Sequence, residues 1–221
     1  MVYSSYINTM YIEENYNYIS NTVKSLSAKT ELIIVSKNQD IEKINRLIKL
    51  NHIHFGENRV QEASLKWKNL ILENLQLKLH LVGKLQSNKA KDAFKIFHYI
   101  HTLDNEKLAQ IFGKLESEEL KKIKYFIQVN IANEQQKNGV SVDKVDQFLK
   151  YCVNDLKLNV VGLMCIPPAE GDPSPYFKNL FELAKVNNLK ELSMGMSNDY
   201  QCAINCGATF VRVGTKIFSE T

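Results

Sequence analysis

Eight short apolar runs recur along this chain, each followed by an amphipathic stretch, and that alternation limits the fold more than any other feature. The first run is Glu31 to Val35. The others are His52 to Phe55, Leu79 to Val82, Tyr99 to Thr102, Tyr125 to Ile131, Val160 to Cys165, Leu192 to Met196 and Thr209 to Val213. They are short, rich in β-branched and aromatic residues, and bounded by Gly, Pro, Asn or Ser, so they read as strands. Between them the apolar residues fall at helical spacing. Ile41, Ile44, Leu47 and Ile48 follow Asp40, a cap residue. Val60, Ala63, Trp67 and Leu70 mark the next helix, and residues 88–97 another. Then come Leu108, Ile111, Phe112 and Leu115, followed by Val145, Phe148, Leu149 and Cys152 after Ser141. Phe177, Leu180, Phe181 and Ala184 form the next stripe, and a short helix at 198–206, capped by Asn198, ends at Gly207.

The strands recur at roughly 16 to 35 residues, the length of a βα unit. No Pro/Gly-rich linker or charge block divides them. The pattern predicts one (β/α)8 barrel filling residues 1–221, with an extra helix over 8–26. Tyr11, Tyr16 and Tyr18 would pack that helix across the barrel bottom. An open doubly wound sheet is the competitor, but it has no need of eight strands.

In such barrels, chemistry gathers at the C-terminal ends of the strands. Lys37 sits just past the end of the first. An amine there, flanked by apolar walls, would lose hydration, and its pKa would fall toward neutrality, which suits capture of an aldehyde. In the eighth strand Phe210, Arg212 and Gly214 share one face, and Val211 and Val213 the other. Arg212 is thus enclosed and needs an acceptor or an anion. Gly214-Thr215 opens the next turn with free amides, and the seventh strand ends at Gly195-Met196-Ser197. Loops after strands seven and eight form the usual phosphate site of this architecture. Strands one and eight are neighbours across the closure, so a small phosphorylated aldehyde would span the gap. Pyridoxal 5′-phosphate (PLP) fits, with Lys37 as its Schiff-base partner.

Charge and cysteine content narrow the partners. The net charge is +4, nearly all from scattered lysines, because only Arg46, Arg59 and Arg212 are arginines. Lysines interleaved with acids describe a solvated surface rather than a nucleic-acid stripe. No run approaches the length of a membrane span, and Met1 to Ile12 does not resemble a secretion signal. Cys152, Cys165, Cys202 and Cys206 form no CxxC pair, and reduced thiols of a cytoplasmic protein are expected. His52 and His54 share a strand face, but buried or rim histidines are commoner than metal ligands, and no metal is expected. Glu57 and Glu62 read as a solvated helix start rather than an acid/base pair.

The chain also resembles the pyridoxal phosphate homeostasis proteins, the YggS/PROSC group. The resemblance rests on an ordered set of motifs. They are Val35-Ser36-Lys37, Phe55-Gly56-Glu57-Asn58-Arg59-Val60-Gln61-Glu62 and His80-Leu81-Val82-Gly83-Lys84-Leu85-Gln86-Ser87-Asn88-Lys89. Further along come His101-Thr102-Leu103-Asp104, Gln128-Val129-Asn130, Gly139-Val140, Gly162-Leu163-Met164, Leu192 to Ser197 and Val211 to Phe218. Lys84 after Gly83 and a short segment after Pro168 depart mildly from the pattern.

The resemblance implies a fold-type III, alanine-racemase-like, PLP-binding TIM barrel. It implies that Lys37 carries PLP as a Schiff base, that Ser197, Gly214 and Thr215 hold the phosphate, and that Arg212 approaches the ring. Asn58 and Met196 complete the cofactor-binding set. Arg212 can only donate hydrogen bonds, so a pyridine nitrogen facing it stays unprotonated and the ring is a poor electron sink. A racemase of this type also uses a base from an added β domain, and no such domain is expected here. The implied role is a non-catalytic, monomeric PLP carrier in vitamin B6 homeostasis, with PLP-dependent apoenzymes as partners. A small PLP-dependent amino-acid racemase is the alternative.

Overall fold

The structure, a computed structural model, describes residues 10–119, 121–134 and 136–220. Eight parallel strands close into a ring, as the alternation predicts. They are β1 (Glu31–Val35), β2 (His54–Glu57), β3 (Lys78–Leu81), β4 (Tyr99–Leu103), β5 (Lys124–Asn130), β6 (Val160–Met164), β7 (Glu191–Met196) and β8 (Phe210–Val213). The order runs β4-β3-β2-β1-β8-β7-β6-β5, and pairing of β5 with β4 closes it. A two-residue strand, Val140–Ser141, adds to the end of β5 outside the ring. The helices are α1 (Tyr11–Leu26), α2 (Ile41–Lys49), α3 (Val60–Glu73), α4 (Ala90–Ile96), α5 (Glu106–Glu119), α6 (Val145–Lys150), α7 (Ser174–Val186), α8 (Tyr200–Asn205) and α9 (Thr215–Phe218). No described helix is long and apolar enough to cross a membrane.

The two-residue period of each strand divides the core into two shells. Outward residues such as Ile34, Val211 and Val213 pack under the helices with Trp67, Phe94 and Phe112. Inward residues form a smaller cluster of Ile33, Tyr99, Phe126, Met164 and Phe210. That inner shell also holds polar side chains: His54, His80, His101, Ser193 and Arg212 are all buried. Phe210 and Arg212 therefore share the inner face, as the sequence indicates.

Three elements differ from expectation. Strand β2 begins at His54, two residues late. His52 lies outside it, its Nε2 2.8 Å from the His54 carbonyl and its ring edge-on to Tyr16 and Phe55. The two histidines thus do not share a face, and among the described residues no three His, Cys, Asp or Glu side chains cluster as metal ligands. Helix α8 begins at Tyr200 with Asp199, not Asn198, at its N-cap.

Helix α1 is the third. It buries Ile12, Tyr16, Ile19 and Val23, a clean helical stripe, but not across the barrel bottom. It packs against α9, α8, α2 and β1, in the outer ring at the β8–β1 seam. The hydroxyl of Tyr11 donates to the Phe218 carbonyl, and the Asn15 amide donates to the carbonyls of Ile217 and Ser219. The reason is length: α9 has 4 residues and cannot cover the seam, whereas α1 has 16. Tyr18 points away, 69% exposed. Residues 8 and 9 of the expected helix lie outside the described residues.

Candidate functional site

A cavity of ≈ 670 Å³ opens at the C-terminal ends of β1, β7 and β8. Lys37, Asn58, Met196, Ser197, Arg212, Gly214 and Thr215 all line it, so the seven residues singled out in the sequence meet in one place. Pairing of β1 with β8, Ile33 opposite Arg212 and Ile34 opposite Val213, sets the lysine loop beside the glycine turn. Val35, Val82, Ile166 and Pro167 supply apolar wall. Three cations, Lys37, Lys137 and Arg212, face one carboxylate, Asp199, so the cavity favours an anion.

Lys37 is exposed at the rim rather than enclosed by apolar walls, because the cavity opens to solvent above it. Its loop, however, is fixed from below. Ser36 donates its N–H to the Gly56 carbonyl and its hydroxyl to Glu57 Oε1 at 2.8 Å. Trp67 Nε1 donates to the same oxygen at 2.9 Å, and Lys66 Nζ lies 2.8 Å from it. Lys66 also donates to the Ser36 carbonyl and to Glu62, and Glu62 accepts the Asn38 N–H. Glu57 is fully buried, the opposite of a solvated helix start. Three donors converge on one of its oxygens, which offsets the cost of burying the group, while Oε2 has no partner among the described residues.

Glu57→Ala removes the shared acceptor and leaves Lys66 half-paired. Losing one partner of a buried ion pair costs several kcal/mol, and Lys66 keeps Glu62, so a loss of about 3 kcal/mol is expected. Urea unfolding at pH 7 measures it. A loss below about 1 kcal/mol would show that the cluster does not hold the loop.

The opposite wall is built from β7 and β8. Gly195 has φ +89°, and a Cβ there would lie 2.5 Å from the Ala203 Cβ. Only glycine fits both the left-handed backbone and the contact with α8. The β7–β8 register shifts between Ser193 and Met196, which turns Met196-Ser197 toward the cavity. Asp199 Oδ1 accepts the Met196 N–H at 2.6 Å and pins this turn. At the end of β8, a Cβ on Gly214 would lie 2.7 Å from the Val35 carbonyl oxygen. The glycine thus lets the two loops touch, and α9 starts directly after it. First-turn amides of a helix have no intrahelical acceptor, so those of Thr215 and Lys216 remain donors.

Arg212 is buried between the walls. Its NH1 donates to Ser193 Oγ at 2.6 Å and its NH2 to the Cys165 carbonyl at 3.0 Å. Burial lowers its pKa from the ordinary value, while Cys165 and Asp199 act in the opposite direction. The required acceptors are therefore neutral ones, and Ser193 and Cys165 escaped the sequence reading, as did Glu57, Lys66 and Lys137. An enclosed arginine was the one available sign that strands β6 and β7 owed it acceptors. A second hollow of ≈ 780 Å³ between α5 and α6 lies away from these strand ends and mixes Asp104, Glu106 and Asp155 with Lys144 and Lys150.

Comparison with known proteins places the chain in a family and a fold. The family profile for the N-terminal domain of alanine racemase matches residues 7–221. The pyridoxal phosphate homeostasis protein of Pasteurella multocida is 33% identical over 221 residues, covering 96% of this chain and 95% of its own. The protein of the same name from Aquifex aeolicus is 38% identical over 175 residues, covering 75% and 76%. Among solved structures, PipY of Synechococcus elongatus without PLP superposes with a TM-score of 0.86 at 33% identity, covering 94% of this chain and 100% of PipY. PipY with PLP bound gives 0.83 at 32%, with the same coverage. Alanine racemase from Corynebacterium glutamicum shares the fold, with a TM-score of 0.72 at 13% identity, and the match covers 96% of this chain and 61% of the racemase.

Proposed function

This chain belongs to the pyridoxal phosphate homeostasis protein family, and from that premise we propose that it holds PLP at Lys37 as a carrier without substrate chemistry of its own. One observation carries the reading. An exposed amine, an enclosed guanidinium and an amide-lined glycine turn converge on a single cavity across the β1–β8 seam.

The donor set fits the cofactor. When bound, PLP supplies an aldehyde that condenses with a primary amine. Lys37 offers that amine on a loop held by Glu57, Lys66 and Glu62. Ser197 and the amides of Gly214 and Thr215 would take the phosphate, where Gly214 lets backbone approach closely. Asn58 and Met196 line the space between. Arg212 would face the ring nitrogen and, donating only, leave it unprotonated. A ring so held is a weak electron sink, which favours storage over turnover. The free thiols suit a cytoplasmic setting, and release to PLP-dependent apoenzymes is the implied use.

Titration with PLP and with unphosphorylated pyridoxal tests the reading. Ser197→Ala removes one charge-assisted hydrogen bond and should weaken PLP about tenfold or more. Pyridoxal affinity should barely change. Equal losses for both ligands would place the phosphate elsewhere.

A further inference from the structure

A file of polar side chains crosses the barrel interior beneath Arg212, and nothing in the carrier reading uses it. His54, His80 and His101 lie on the neighbouring strands β2, β3 and β4. His54 Nδ1 is 2.9 Å from His80 Nε2, and His80 Nδ1 is 2.9 Å from His101 Nε2. His101 Nδ1 is 2.8 Å from Ser193 Oγ, the atom that accepts Arg212. At the barrel floor, His54 Nε2 lies 4.0 Å from Glu31 Oε2. Tyr99 stacks on His80 and Phe126 on His101, so neither ring turns freely.

All three rings are neutral at pH 7. Burial is the main cause, helped at His54 by Lys78 and Lys124 and at His101 by Arg212. A neutral imidazole has one N–H and one lone pair. Every link here joins Nδ1 to Nε2, so one choice fixes all three: each ring carries its proton on Nε2, or each on Nδ1. The two ends decide. Arg212 can only donate, and it occupies the Ser193 oxygen, whose own hydrogen then needs an acceptor. With the protons on Nε2, His101 Nδ1 is that acceptor, and His54 turns its N–H toward the Glu31 carboxylate. With the protons on Nδ1, Ser193 receives two donors, and a bare His54 nitrogen faces the carboxylate.

We infer that His54, His80 and His101 form a tautomer-locked wire, protonated on Nε2 throughout, that positions Arg212 by way of Ser193. The three histidines are positioning residues: the wire orients the Ser193 hydroxyl and, through it, the guanidinium at the pocket. For its effect on the ligand, the inference rests on the PLP reading above.

Long-range proton–nitrogen NMR on ligand-free, 15N-histidine-labelled protein tests it. At pH 7 all three rings should show a protonated Nε2 and a bare Nδ1. Ser193→Ala deletes the donor to His101 and should shift that ring to mixed tautomers, while Ser193→Thr should keep the wild-type pattern. In parallel, Ser193→Ala should weaken PLP about tenfold, the effect of one hydrogen bond, and Ser193→Thr should not. Mixed or Nδ1-protonated rings in the wild type would overturn the wire, and this holds even if Ser193→Ala does not fold. Wild-type tautomers in Ser193→Ala, or its unchanged PLP affinity, would overturn the positioning role. Failure of the wild type to bind PLP would sink the carrier reading and leave the tautomer result standing.

Discussion

Lys37→Ala is expected to abolish covalent retention of PLP while leaving the barrel intact. Lys37 is exposed, and substitutions at such positions usually change stability by no more than about 0.5 kcal/mol. The residues proposed to hold the phosphate lie on the other wall, so the variant should still bind PLP reversibly. Borohydride reduction and peptide mapping make the comparison direct. The wild type should carry the cofactor mass on the peptide containing Lys37, and the variant should carry none after gel filtration. Lys137 also lines the cavity and is the most instructive competitor. An adduct mainly on Lys137, Lys84, Lys89 or Lys216 would move the covalent site. The same preparations, incubated with a panel of amino acids, should show no racemisation. Vigorous turnover by the wild type, lost in Lys37→Ala, would replace the carrier reading with the racemase one.

Acid should destabilise this protein unusually early. All five histidines have lowered pKa values, in each case chiefly through burial. His52, His54 and His98 fall to about 4, and His80 and His101 lie well below 6.5. In the unfolded chain each takes up a proton near pH 6.5. Between pH 6.5 and 4 the unfolded state therefore binds more protons, and lowering the pH favours it. Stability from this source is complete above pH 6.5 and is lost as the pH falls. Each histidine should cost about 1 kcal/mol between pH 7 and 5.5, roughly 5 kcal/mol together, which approaches the whole stability of many domains. Urea midpoints across that range measure the slope. A flat profile would mean that the histidines are not held neutral inside.

The eight strands were legible because β-branched runs and glycine or proline stops are local signals, and a parallel barrel buries both faces of each strand. Strand β2 slipped by two because His52 and Ile53 read as strand-formers, while Gly56 and Glu57 read as a turn. Glu57 and the barrel histidines were not legible. A charged or half-polar side chain in a short strand usually faces water, and only the folded chain reveals donors from Ser36, Trp67 and Lys66 around one carboxylate. The pocket residues fared better for a geometric reason. Each lies at or just past the C-terminal end of a strand, so knowing the strand also places the residue. Helix α1 was misplaced because its stripe fixes which face is buried and says nothing of what covers it.

The hold of α1 on α9 has a consequence for synthesis. Asn15 emerges from the ribosome early and waits for Ile217, 202 positions behind it, before its amide finds a carbonyl. The glycine turn that leads into α9 follows every other strand of the ring. On the proposed assignment, a partly translated barrel thus has Lys37 and its clamp without the opposite wall, and would not yet discriminate a phosphorylated ligand from a bare aldehyde. Selective loading would then be postponed until the two ends of the fold have met.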